Sequence, residues 1–272
     1  MSRTFIQICN VSKHKFCIPF VYFFFTRLKN FKALFHNLLV NLGVPVFYCS
    51  IVFEVDFSSV IILFILHTSI YEIGYVYNDN FASSRFEQGS HKPVGFSNSI
   101  KSILFSRVLF ILAFSGFCYP FLGNFELILG LSLSLSVLAL FFVHNFQKRI
   151  SKVINFSILR LFTFFGLSVY KFAPVFIPLL GVKESFEALV AVALFLGVPR
   201  TIVYALRKYS STAYDWGAAG QDVVFAWSVI TLPLISYVMV FSESNVAVIG
   251  FGFFFISFFF FVYRIVRKNM LS

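Results

Sequence analysis

The stretch Phe57-Ser58-Ser59-Val60-Ile61-Ile62-Leu63-Phe64-Ile65-Leu66-His67-Thr68-Ser69-Ile70-Tyr71-Glu72-Ile73-Gly74-Tyr75-Val76-Tyr77-Asn78-Asp79 starts as lipid-buried sequence and ends in polar chemistry. A carboxylate at the depth of Glu72 costs roughly 3 kcal/mol on insertion scales unless it is paired or wetted. Helical rotation of about 100° per residue puts Glu72, Asp79 and Ser83 on one face, with His67, Tyr71, Tyr75 and Asn78 on the flank beside it. The spacing predicts a transmembrane helix whose polar wall is aimed at a cavity.

Composition extends this reading to the whole chain. Of 272 residues 59% are hydrophobic and only 12% charged, with a mean hydropathy of +0.87, too little polar surface to coat a water-soluble globule of this size. The apolar runs approach the ~20 residues a helix needs to cross ~30 Å of hydrocarbon, so helices are expected and not a barrel. The expected fold is therefore all-α, a polytopic membrane bundle of about eight spans. They are placed over residues 34 to 53, 57 to 77, 103 to 122, 124 to 143, 157 to 180, 187 to 206, 223 to 241 and 245 to 263.

Lys and Arg gather on one side of these spans. The residues before the first span, including Arg27, Lys29 and Lys32, share a side with Arg85 and Lys92, with Lys148, Arg149 and Lys152, with Arg207 and Lys208, and with Arg264, Arg267 and Lys268. The opposite loops hold only Lys183, so both termini are expected in the cytoplasm. The formal charge of +11 is mostly this topology. It also suits anionic headgroups and phosphate-bearing substrates, and no nucleic-acid partner is expected.

Residues 1–31 read as a cytoplasmic or interfacial segment and 32–268 as one transmembrane helical domain. Within the first segment, residues 16 to 26 are too few to cross, contain Pro19 and precede no small-residue cleavage site, so an interfacial helix is expected there. Cys9, Cys17, Cys49 and Cys118 lie in different segments without metal-ligand spacing and are assigned to packing.

Three clusters carry candidate chemistry. The first runs from Asn78 and Asp79 to Glu87, hard oxygen ligands of the kind Mg²⁺ takes alongside substrate phosphates; the plainer alternative is a helix end with a solvated turn. The second follows the fourth span, where His144, Asn145, Lys148 and Lys152 share a face if the helix continues, with Arg149 at its edge; cations at a helix C-terminus and an inner leaflet need no further role. The third joins Arg160 and Lys171 of the fifth span to Arg200, Tyr204, Arg207 and Lys208 of the sixth, which fall on one stripe behind Pro199. Arginine forks suit phosphate oxygens. Lys171, deep in its span, needs a partner or water, and Glu72 is its nearest candidate in kind. Tyr71, Tyr75 and Tyr204 either flank a cationic centre or simply pack.

This arrangement resembles the UbiA-type intramembrane prenyltransferase superfamily, whose loop after the second helix carries Asn-Asp-x-x-Asp-x-x-x-Asp and whose loops after helices four and six complete the site. Asn78-Asp79 occupies the start of that motif. The likeness is closer to the branch that moves phosphoribose onto a polyprenyl phosphate: Leu34-Phe35-His36-Asn37-Leu38-Leu39-Val40 resembles its Trp-Val-Lys-Asn-Leu-Leu-Val, and Lys148, Ile158-Leu159-Arg160 and Arg200 resemble its basic positions. The chain departs from the family pattern at Ala82 and Phe86, where later aspartates are usual; Glu87 lies one position out of register. Arg207 and Lys208 stand where users of prenyl diphosphate carry a second acidic motif.

The resemblance implies a multi-pass protein of the bacterial inner membrane with its site facing the cytoplasm. It would hold Mg²⁺ at Asn78 and Asp79, with Glu72 or Glu87 assisting the catalytic acids. Lys148, Arg149, Arg160, Arg200, Arg207 and Lys208 would bind phosphate, and His36, Asn37, Tyr71, Tyr75, Lys171 and Tyr204 would line the substrate pocket. The donor would be a phosphoribosyl or prenyl diphosphate and the partner an isoprenoid or polyprenyl phosphate lipid. A non-catalytic lipid-phosphate binder or transporter is the alternative, because intramembrane charges are equally at home on a transport path.

Overall fold

The structure is a computed structural model. It describes residues 19–22, 38–78, 100–150 and 156–209, with positions 223, 226, 227, 229–231, 233, 258 and 262, and for 39, 146–150, 156, 157 and 207–209 the backbone alone. Every regular element among them is helical. Four are long and apolar enough to cross a bilayer, Phe57–Tyr77, Ile100–Cys118, Asn124–Asn145 and Val182–Leu206; Ile158–Tyr170 with Ala173–Leu179 makes a fifth if the two form one span. The chain is a multi-pass membrane protein. The seventh and eighth expected spans fall almost wholly outside the described residues.

The described elements divide between two compact units, the first holding residues 1–152 and 173–179, the second 153–172 and 180–272.

In the first unit, α1 (Val40–Val52) is an apolar helix wound mostly at the wider π pitch, in segments Leu39–Gly43 and Val46–Val52. At ~1.5 Å per residue its length falls short of the hydrocarbon core. The helix α2 (Phe57–Tyr77) occupies the second expected span. Asp56 starts it: the carboxylate accepts the Ser59 N–H at 3.0 Å and the Ser58 hydroxyl, satisfying donors that a first turn leaves orphaned. Those bonds, the Ser58 hydroxyl first, hold the Asp56 carboxyl below the usual carboxylate range. The helix ends at Asn78, whose backbone N–H reaches Gly74 O and Tyr75 O.

Four elements pack around α2: α1, α3 (Ile100–Cys118), α4 (Asn124–Ile150) and α6 (Ala173–Leu179). This explains why α2 is apolar on every side, as a central helix must be. Two glycines let the backbones approach. A Cβ on Gly74 would meet Phe141 of α4 at 2.8 Å, and one on Gly130 would meet Leu63 of α2 at 2.6 Å. Small residues at helix crossings are how membrane helices gain van der Waals contact without a hydrophobic drive. Aromatic edges fill the remaining space, Tyr71 and Tyr75 each T-shaped against Phe141, and Tyr48 against Phe176 of α6. Cys49 and Cys118 are buried.

In the second unit, α5 (Phe156–Tyr170) packs against α7 (Val182–Val192), the π-wound Ala193–Gly197 and α8 (Val198–Tyr209). Gly197 permits the closest approach, since a Cβ there would meet Val169 at 2.7 Å and Phe165 at 2.9 Å. The π segment leaves carbonyls off the regular ladder, and the Trp227 indole N–H donates to one of them, Leu194 O, at 2.8 Å.

Within the expected 157–180 span the helix is not continuous: α5 stops at Tyr170 and a turn at Lys171 and Phe172 precedes α6. Pro174 is the cause, because proline is tolerated in a first helical turn and disrupts an interior one. Lys171 therefore stands at a helix break and not on a continuous face with Arg160.

Candidate functional site

Among the described residues of the first unit, Glu72 and Arg107 are the most deeply buried charges. Arg107 Nε stands 2.8 Å from Glu72 Oε2, and neither side chain has any solvent exposure. Glu72 lies six residues before the Asn78 cap, ~9 Å along α2, and Arg107 seven residues into α3, ~10 Å along it. The two helices supply acid and base at matching distances from adjoining ends. On α3 the pair continues a buried stripe, Ile100, Ile103 and Arg107, at i, i+3 and i+7. Glu72 Oε2 also accepts the backbone N–H of Phe20 at 3.0 Å.

This changes the reading of Glu72. The acid of α2 pairs with Arg107, and at Glu72 the helix is packed against α3 where a cavity was expected; Asp79 and Ser83, the rest of that wall, lie outside the described residues. Sequence reasoning passed over Arg107 altogether. Its signal was the strong base inside the third span, which a helix-two acid at equal depth would demand.

The flank beside Glu72 is also built into packing. His67 stacks on Tyr71 with ring centroids 5.7 Å apart, and its Nδ1 lies 3.3 Å from Ser134 Oγ of α4. Ser134 Oγ in turn donates to Gly130 O at 2.7 Å. Tyr71 and Tyr75 contact one another at 5.1 Å between centroids. These rings line the α2–α4 seam, and Ser134 is a second polar partner that the sequence did not single out.

Asn78 sits at the C-terminal end of α2. His36, Asn37, Asp79, Glu87 and Lys152 lie outside the described residues. Among the described residues no group of three or more His, Cys, Asp or Glu side chains is placed to hold a metal ion. Glu72 is committed to Arg107 and Phe20, and the Asn78 amide alone does not make a Mg²⁺ site. α4 does continue through Lys148 and Arg149, as a shared face with His144 requires. The Asn145 amide is spent within that helix, donating to Phe141 O at 2.8 Å.

The second unit brings together more of the expected residues. Tyr204 of α8 stacks on Phe164 of α5 with centroids 4.1 Å apart and planes 11° from parallel. The Arg160 guanidinium carbon lies 5.9 Å from the Tyr204 centroid, within cation–π range. Lys171 Nζ lies 4.9 Å from the Phe172 ring centroid. The backbone of α8 carries Arg207 and Lys208 onward along the stripe of Arg200 and Tyr204. α5 and α8 thus bring Arg160 against Tyr204, with Arg200 one turn before Tyr204 on α8, and guanidinium groups of this kind suit phosphate oxygens.

No family model, curated protein or solved structure matches this chain.

Proposed function

We propose that this chain is a UbiA-like integral membrane transferase that takes a diphosphate donor, phosphoribosyl or prenyl, and acts on a polyprenyl phosphate or related lipid. The observation that supports it is the contact of Arg160 with Tyr204 across α5 and α8, with Arg200 one turn before Tyr204 on the same helix. Guanidinium forks match phosphate oxygens bidentately, and the Tyr204 face offers a stacking wall beside them. Phosphoribosyl is favoured over prenyl as the transferred group because Arg207 and Lys208 replace a second acidic motif. In this reading the site faces the cytoplasm of a bacterial inner membrane.

Mg²⁺, when bound, would neutralise charge developing on the leaving diphosphate. Its proposed ligands reduce to Asp79 with Asn78, since Glu72 is taken. The test is transfer of label from phosphoribosyl diphosphate, or from isoprenoid diphosphates, to a lipid-extractable product in membranes containing the protein. Product should form, should fall with EDTA and should vanish in Asp79→Asn with expression intact. Activity unaffected by Asp79→Asn would remove the metal from the proposal.

A second reading is a non-catalytic binder or transporter of lipid phosphate. The commitment of Glu72 to Arg107 favours it, because it takes one carboxylate away from metal chemistry. Retained phosphate-lipid binding with no turnover of any donor would select it.

A further inference from the structure

Phe20 is a bulky residue with φ at 68°, in the left-handed region that L side chains avoid. That conformation accompanies a specific bond, the donation of the Phe20 N–H to Glu72 Oε2 at 3.0 Å. Two residues on, Tyr22 is fully buried in a cluster with Val76 of α2 and Ile100 and Ile103 of α3, with Val21, Tyr75 and Leu104 packed against it. The groove between α2 and α3 is therefore a receptor, and its occupant is a segment of the same chain. Strained backbone persists only where the surroundings over-determine it, and it concentrates at clamps and switches.

We infer that residues 19–22 are a releasable strap that seals the α2–α3 groove and controls the access of water to the Glu72–Arg107 pair. A buried ion pair repays its desolvation only when further hydrogen bonds complete it. The Phe20 amide supplies one, so seating the strap and keeping the pair dry are a single event. Lifting it removes that donor and withdraws the Tyr22 ring from the cluster. Water then replaces both, and a carboxylate and a guanidinium become reachable from the end of α2 that carries Asn78. The inference concerns the groove alone and holds whether or not the chain transfers a group.

The test uses the full chain in lipid nanodiscs with Cys9, Cys17, Cys49 and Cys118 replaced by alanine and a reporter Ile103→Cys. A water-soluble methanethiosulfonate should label this reporter about 100-fold more slowly than a reference Val182→Cys. Phe20→Pro, which deletes the N–H and cannot adopt the positive φ, should release the strap and speed labelling about tenfold. Phe20→Gly, which keeps the N–H and relieves the positive φ, should slow it severalfold. Equal rates at the two reporters, or a rate indifferent to Phe20→Pro, would overturn the strap. Hydrogen exchange on the unmodified protein needs no variant. The Phe20 amide should exchange about 100-fold more slowly than in an unstructured peptide, and exchange at the unstructured rate would overturn the proposal equally.

Discussion

Arg107 and Glu72 meet at 2.8 Å with both side chains entirely withdrawn from solvent, one from α3 and one from α2. Removing one partner leaves a charge buried without its complement, which costs about 3–5 kcal/mol in comparable pairs. Arg107→Met and Glu72→Leu should each lower thermal stability in detergent by amounts of that order. The double variant Glu72→Leu with Arg107→Met should recover a large part of the loss, because both desolvation penalties disappear together. Additive losses in the double-mutant cycle would mean that the two charges are not coupled.

The glycines of the first unit predict a graded series. Gly74→Ala and Gly130→Ala push a methyl into Phe141 and Leu63 and should destabilise by about 1–3 kcal/mol. Gly116→Ala meets nothing within 4 Å and should change stability by less than about 0.5 kcal/mol. Unfolding in a mixed-micelle titration ranks the three. A Gly116 variant as damaging as the other two would contradict the packing.

Much of this architecture was legible before any coordinates, and the reason is periodicity. Phe57 to Tyr77 reads as one apolar run that ends in polar residues from Asn78, and the helix fills that range. The break at Lys171 was less visible, because the apolar pattern continues through Pro174 and only the missing N–H interrupts it. Of the site, Arg160 and Tyr204 were legible as residues that project from amphipathic stripes, and the structure brings them together. The partner of Glu72 was not, since helical spacing ranks residues within a span and says nothing of which spans adjoin. Arg107 and Ser134 acquire their roles only through neighbouring helices.

The Asp56 cap carries a pH dependence. Its folded carboxyl titrates below the ordinary value of 3.8, so it contributes stability above that pH, and the contribution is lost as pH falls through the depressed value. Acidification below about pH 4 should therefore loosen the N-terminal turn of α2, and Asp56→Ala should abolish that part of the acid response. Exchange protection at the Ser59 amide, followed against pH, checks both. Protection that survives in Asp56→Ala would assign the turn to other contacts.

In the second unit, Tyr204→Phe keeps the ring over Phe164 and beside Arg160, whereas Tyr204→Leu removes both contacts. Stability should be preserved in the first and fall by about 1 kcal/mol or more in the second. Thermal melts of the two variants in the same detergent make the comparison, and equal melting temperatures would mean that the stack contributes nothing.

The most direct measurement is binding of a polyprenyl phosphate to the purified protein in nanodiscs, set against the unphosphorylated polyprenol of the same length. The phosphate form should bind more tightly, and Arg160→Ala and Arg200→Ala should each weaken it about tenfold while leaving polyprenol binding unchanged. Equal affinity for the two lipids, or phosphate binding indifferent to both arginines, would contradict the proposed role of the basic cluster.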